Sequence, residues 1–384
     1  MVSSKSLFLA LPFLAHCTHA APTNSSQTAN LAATFPNVPA IQDVAVVQGA
    51  NNHPAFLFYQ DVASADLIAA TVSEDGSEII NTESIVPNAE LFIGGPIAAV
   101  TLDASELSVF YVNQDTVISE VRRDSTTGEW TRGSACPECI DNQVSFKILR
   151  ASKILFPMWT SNTASTAEIR LVFVPPSSTG DAVTVSEAER QNGVWSLHPL
   201  VTSQNTPAQI NTDAFGDIIA IQGADNKPSF LLYRDFTNQA MGDLKSVTIT
   251  DAFSVGHVAA ETSIVPANGM FEDCPLAVVQ LGQGASDLGD IRVFYGNADF
   301  ILSEIRWTGG SGWVGGSDCP ECIENQASFE LFGRSVLYAM GTEDSQTGST
   351  EIRLGFETGS PDNDGDFGKI VEVVSKDGVW SPST

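Results

Sequence analysis

Two stretches decide the fold. Gln48-Gly-Ala-Asn-Asn-His-Pro-Ala-Phe-Leu-Phe-Tyr-Gln-Asp61 returns as Gln222-Gly-Ala-Asp-Asn-Lys-Pro-Ser-Phe-Leu-Leu-Tyr-Arg-Asp235, 174 residues later. Further matches follow in the same order: Ser84-Ile-Val-Pro87 with Ser263-Ile-Val-Pro266, Val109-Phe-Tyr111 with Val293-Phe-Tyr295, and Glu168-Ile-Arg-Leu171 with Glu351-Ile-Arg-Leu354. Ser134-x-Cys-Pro-Glu-Cys-Ile140 matches Ser317-x-Cys-Pro-Glu-Cys-Ile323, and Gly193-Val-Trp-Ser196 matches Gly378-Val-Trp-Ser381. Order is kept while the offset drifts by small loop insertions, so the chain is a tandem duplication.

Each half divides again into three units. The runs within a unit are short, rich in Val, Ile, Phe and Tyr, and bounded by Asp, Asn, Gly and Ser, which are strand and turn signals. Apolar residues at helical spacing form no long stretch. Units at about 41–88, 89–143, 144–206, 207–267, 268–326 and 327–384 each hold about four strands. One compact core rarely serves so long a chain, whereas stacked four-stranded sheets need only their neighbours. The expected fold is therefore all-β, a single six-bladed propeller over 41–384 built from three blades repeated twice. No Pro/Gly/Ser-rich linker separates the halves near 200–210, which favours one ring over two domains.

Residues 1–20 show a secretory signal layout: Lys5, an apolar run from Leu7 to Ala15, and small residues before Ala20. The run is too short to span a bilayer. Residues 21–40 form a Ser/Thr/Asn/Ala-rich leader with a glycosylation sequon at Asn24, and the protein is expected to be secreted. A net charge of −28 argues against nucleic acid and anionic membrane as partners.

Five cysteines follow the signal: Cys136, Cys139, Cys274, Cys319 and Cys322. Two Cys-x-x-Cys pairs could in principle complete a four-sulfur zinc site. They are copies in separate halves, so disulfides Cys136–Cys139 and Cys319–Cys322 are the simpler expectation in an exported chain. A redox role calls for a helix after the motif, and Ile-Asp-Asn-Gln shows no such pattern. Cys274 is either a buried thiol or a link between two chains of a homodimer. No metal site or cofactor is expected. Asp362-Asn-Asp-Gly-Asp366 resembles a calcium loop, but Phe367 and Val373 stand where Gly and Glu are required, so it reads as a solvated acidic turn.

Catalytic motifs are missing: no Gly-x-Ser-x-Gly elbow, no His-Glu-x-x-His, no phosphate loop. A propeller glycoside hydrolase would need carboxylates converging on the central channel. A repeated Arg/Glu/Trp set is more informative. Arg292 precedes Glu304 and Trp313 in the fifth unit, Arg170 precedes Glu187 and Trp195 in the third, and Arg353 precedes Glu372 and Trp380 in the sixth. Adjacent antiparallel strands can place Arg and Glu on one side. A guanidinium supplies donors, a carboxylate supplies acceptors, and an indole covers the apolar face of a sugar ring. The plainer alternative is a cross-strand ion pair, with a tryptophan that only packs.

At these residues the sequence resembles the fungal fucose-specific lectins of the Aleuria type. The likeness is strongest over Cys274-Pro-Leu-Ala-Val-Val279, Ile291-Arg-Val-Phe-Tyr295, Ile301-Leu-Ser-Glu-Ile305 and Gly312-Trp-Val-Gly315, and nearly as close over Pro96–Val100, Val109–Tyr111 and Ile118–Val121. The resemblance implies a six-bladed propeller with sugar pockets between blades. It also implies a non-catalytic lectin whose partners are fucosylated glycans, bound by Arg170, Arg292 and Arg353 with Glu187, Glu304 and Glu372 and, less closely matched, the three tryptophans. The departures are Ser108 in the Arg place beside Glu120 and Trp130, Phe56 and Ala69 in the first unit, and Phe230 and Ser246 in the fourth. Those losses, and Cys-Pro-Glu-Cys pairs foreign to the family pattern, favour a second reading: a lectin-like propeller that has lost sugar binding and acts as an interaction or surface protein.

Overall fold

A computed structural model of the chain describes residues 40–47, 56–61, 63–73, 79–103, 106–124, 127–150, 152–159, 169–176, 183–202, 209–212, 218–221, 229–235, 241–250, 257–271, 274–281, 289–308, 312–331, 337–343, 349–358 and 369–382. The signal-type segment, the leader with Asn24 and the acidic turn at 362–366 lie outside them. Among the described residues no helix is long and apolar enough to cross a membrane.

Six antiparallel sheets follow one another along the chain. Blade 1 is Ala40–Val47, Phe56–Asp61, Leu67–Val72 and Ile79–Val86. Blade 2 is Ile97–Asp103, Glu106–Val112, Ile118–Asp124 and Trp130–Arg132. Blade 3 is Leu155–Trp159, Ile169–Phe173, Ser186–Gln191 and Val194–Pro199. Blade 4 is Ile218–Ile221, Ser229–Arg234, Met241–Thr250 and His257–Phe271, with Val201–Thr202 added in parallel on its outer edge. Blade 5 is Leu276–Leu281, Asp290–Gly296, Leu302–Thr308 and Trp313–Gly315. Blade 6 is Leu337–Glu343, Thr350–Thr358, Lys369–Lys376 and Val379–Pro382.

The first strand of each blade touches the first strand of the next, and that of blade 6 touches that of blade 1. The ring is therefore closed, a six-bladed β-propeller. Ring packing also explains the sequence pattern. A middle strand such as Glu106–Val112 is covered on both faces, so Leu107 through Val112 are all buried and the run shows no polar alternation. The core lies in the joints: Phe110, Ile118, Ile169, Leu171 and Phe173 fill the joint between blades 2 and 3.

Both disulfides form, Cys136–Cys139 and Cys319–Cys322, each with Cα atoms 5.3 Å apart. Among the described residues no cluster of ligands is disposed to hold a metal. Cys274 forms no disulfide. It is 2% exposed inside blade 5's edge, with its sulfur 2.8 Å from the Gly296 amide nitrogen, which takes it out of reach of a second chain. One expectation needs correcting: a one-turn helix does follow each motif, Ile140–Gln143 and Ile323–Gln326. Periodicity did not reveal it because tertiary partners, not an apolar face, hold the turn.

Candidate functional site

The strand register turns each Arg and Glu to the same side. Val172 pairs with Glu187 and Phe294 with Glu304, while Gly355 pairs with Glu372. In each blade the arginine stands two residues before that partner, hence on the same face and diagonal to the glutamate. Ion pairs result: Arg170 Nη1–Glu187 Oε1 at 3.1 Å, Arg292 Nη1–Glu304 Oε1 at 3.3 Å and Arg353 Nη1–Glu372 Oε1 at 3.3 Å. The pairs are deep, with Arg170 and Arg292 at 1% and 2% exposure and Glu304 at 0%.

The tryptophans point the other way. Trp195 is opposite Arg190, not Arg170, and packs edge-on against Phe110 of blade 2 with ring centroids 5.8 Å apart. Trp380 packs edge-on against Phe294 of blade 5 at 5.6 Å. Trp313 contacts Trp307, which in turn meets Phe230 of blade 4. The tryptophan of one blade thus serves the joint with the preceding blade. The expected sets divide accordingly. Arg292, Glu304 and Trp380 meet at the joint of blades 5 and 6. Arg170 with Glu187, and Arg353 with Glu372, face joints into which blades 4 and 1 bring no tryptophan. Trp313 faces the joint where Phe230 and Ser246 occupy the Arg and Glu places. Spacing alone missed this because alternation fixes a face only once the register between strands is known.

At the joint of blades 5 and 6 the disulfide module builds the wall. Glu304 Oε2 accepts the Ile323 N–H at 3.1 Å, at the start of the one-turn helix, and Glu324 accepts the Glu304 N–H at 2.9 Å. Gln326 then clamps the next blade: it donates to the Gly378 carbonyl at 2.7 Å and accepts the Trp380 N–H at 3.0 Å. Asp377 and Gly378, with φ of 50° and 82°, form the two-residue hairpin turn that presents Trp380. The same clamp occurs at the joint of blades 2 and 3. Glu120 accepts the Ile140 N–H at 3.0 Å, and Gln143 reaches the Gly193 carbonyl and the Trp195 N–H at 2.7 and 2.9 Å.

A cleft of about 440 Å³ opens at the blade 5–6 joint, lined by Asp290, Arg292, Arg306, Glu321, Thr350, Asp377 and Gly378. Asp290 accepts from Arg292 Nε at 3.1 Å and Arg306 Nε at 2.7 Å, and Arg306 donates to Glu321 at 2.8 Å. The indole Nε1 of Trp380, though buried, has no hydrogen-bond partner among the described residues. Carboxylates outnumber guanidinium groups around this cleft, so it suits a neutral, hydroxyl-rich ligand better than an anion. Sequence reasoning missed Asp290, Arg306 and Gln326. Asp290 and Arg306 carried a signal, standing at repeat positions where the first half has Glu106 and Arg122.

Burial pushes Glu120 and Glu304 up to about 7 despite their cationic and N–H partners, and Glu187 up to about 6 despite Arg170. Between the ordinary value of 4.5 and neutrality the folded chain therefore keeps protons that the unfolded chain has released. This contribution to stability is whole below pH 4.5 and is lost as pH rises through 7. Glu138, held low by Arg122, acts only below that window. Thermal melts are expected to give a midpoint at pH 5.5 at least about 3 °C above that at pH 8.5. A midpoint that is flat or rises over this interval would contradict the assignment.

No family model matches the chain, and no curated protein matches its sequence. Solved structures do. The crystal structure of AofleA from Arthrobotrys oligospora has a TM-score of 0.61 at 12% identity, covering 90% of this chain and 86% of that one. The fucose-specific lectin of Aleuria aurantia, described as a six-bladed β-propeller, has a TM-score of 0.60 at 17% identity over 89% and 94%. SapL1 lectin, solved with α-methyl fucoside, has a TM-score of 0.58 at 15% identity over 90% and 96%. The chain thus has the six-bladed propeller fold of the Aleuria-type fungal lectins.

Proposed function

We propose that the protein is a secreted, non-catalytic lectin that binds a fucose-type sugar of glycans in the cleft between blades 5 and 6. The composition of that cleft carries this reading: Arg292 and Arg306 offer donors and Asp290 and Glu321 offer acceptors along its lining, with Glu304 and Trp380 buried behind it at the same joint. The fold shared with fucose-binding lectins supports it, and the signal-type leader supports export.

Calorimetry with methyl α-fucoside tests the reading. Wild type is expected to bind, and Arg292→Lys, which keeps the charge but loses the planar fork, is expected to weaken that site at least about tenfold. Unmeasurable binding to wild type at millimolar sugar, or full binding by the variant at this cleft, would overturn it. A propeller that has lost sugar binding would give the first of these results. The burial of Arg170 at 1% exposure, with Glu187 at 3.1 Å and Glu189 at 3.5 Å, is the observation that favours that reading.

A further inference from the structure

The cleft between blades 5 and 6 has two walls. Glu321 belongs to the blade 5 wall, and Thr350, Asp377 and Gly378 form the blade 6 wall. The blade 6 wall is knitted into one corner. Asp377 Oδ1 accepts from the Thr350 N–H and the Ser349 hydroxyl at 3.0 Å each, and the Asp377 N–H donates to the Thr350 carbonyl at 3.0 Å. Glu321 is the third residue of Cys319-Pro-Glu-Cys322, inside the loop that the disulfide closes. The walls meet at Glu321 and Gly378, where a Cβ added to the glycine would stand 3.8 Å from the Glu321 Cβ.

One side-chain amide ties these walls together. Gln326 Nε2 donates to the Glu321 carbonyl at 2.8 Å and to the Gly378 carbonyl at 2.7 Å, so its two hydrogens join the main chains of two lining residues, one from each wall. Its Oε1 accepts the Trp380 N–H at 3.0 Å on the strand that follows. The helix that carries Gln326 is pinned from several sides. Cys322, with no exposed surface, stands immediately before it, and Ile323 donates to Glu304. Asn325 Nδ2 donates to the Gly316 and Cys319 carbonyls at 2.6 and 2.7 Å. Four residues hold no helix by themselves, so the disulfide and these bonds fix where Gln326 stands. Gln326 is itself exposed, so it contributes position and not core packing.

We infer that the Cys319–Cys322 loop and its one-turn helix form a positioning module for the cleft, in which Gln326, outside the lining, fixes the separation of the two walls. The inference rests on the cleft reading above for its ligand and on the wall geometry for its own test. A bound ring meets both walls at once, so a displacement of about 1 Å between them weakens every contact on one side. The loop also carries Glu321, whose carboxylate accepts from Arg306 Nη1 at 2.8 Å and holds that guanidinium along its wall.

Calorimetry with methyl α-fucoside and crystal structures of the sugar-free variants test it. Gln326→Ala is expected to weaken binding at least about fivefold and to move Gly378 about 1 Å or more from Glu321. Gln326→Glu, which keeps the acceptor for Trp380 but loses both donors, is expected to do the same at neutral pH. Gln143 is the control, since it makes the equivalent bonds to Glu138, Gly193 and Trp195 at the joint of blades 2 and 3. Gln143→Ala is expected to keep the affinity within about twofold of wild type, because distant independent sites do not couple. Wild-type affinity or unmoved walls in Gln326→Ala overturns the inference, and so does an equal loss of affinity in Gln143→Ala, which would mark a general loosening of the ring. A wild type that binds no sugar overturns the cleft reading, and the wall displacement alone then decides this one.

Discussion

Replacing Glu304 with alanine is expected to lower the unfolding free energy by about 3–5 kcal/mol, because it breaks a buried ion pair from one side. Glu304 has no exposed surface, and each carboxylate oxygen has its own partner, Arg292 on one side and the Ile323 N–H on the other. Truncation leaves the guanidinium deep in the joint with Asp290 as its remaining ion-pair partner among the described residues, and uncaps the one-turn helix. Glu304→Gln keeps an oxygen for Ile323 and is expected to cost less, about 1–2 kcal/mol. Urea denaturation at pH 8.5, where the carboxyl is ionised, checks both. An alanine variant within about 1 kcal/mol of wild type would show that the pair and the helix cap do not hold the joint.

Trp380→Ala is the second large effect, also about 3–5 kcal/mol, through loss of a buried indole packed on Phe294. The informative partner is Trp380→Phe. A phenyl ring keeps most of the contact with Phe294, so stability is expected to fall by only about 1–2 kcal/mol. The indole N–H has no partner within the described residues, so its removal costs the fold no hydrogen bond. If that donor serves a sugar hydroxyl, the phenylalanine variant loses about tenfold in affinity at this cleft. Melting curves and calorimetry on the same two variants separate packing from recognition. An unchanged affinity in Trp380→Phe would remove the indole from the site.

The fold was legible because duplication and strand signals are written along the chain. The Val109-Phe-Tyr111 and Val293-Phe-Tyr295 repeats mark middle strands that are buried on both faces, and the Cys-Pro-Glu-Cys pairs mark the modules that end blades 2 and 5. The pairing of Arg with Glu was legible too, since it depends on adjacent strands of one blade. The placement of tryptophan was not. Trp195 and Arg170 lie in one blade but on opposite faces, and only register shows that Trp195 joins Glu120 of the blade before. Gln143 and Gln326 sit in four-residue helices that no periodic pattern announces, although their identical spacing after Cys139 and Cys322 repeats faithfully.

The closure of the ring carries one more consequence. Blade 3 meets blade 4 with Arg170 and Glu187 on its face, and blade 6 meets blade 1 with Arg353 and Glu372 in the same places. On the receiving side stand Tyr233 in blade 4 and Tyr59 in blade 1, also repeat partners and both buried. The two junctions between halves are thus the same junction made twice, once with the chain running through it and once without. A three-bladed ancestor with these faces would have carried both ends of the lock and could have closed on a copy of itself.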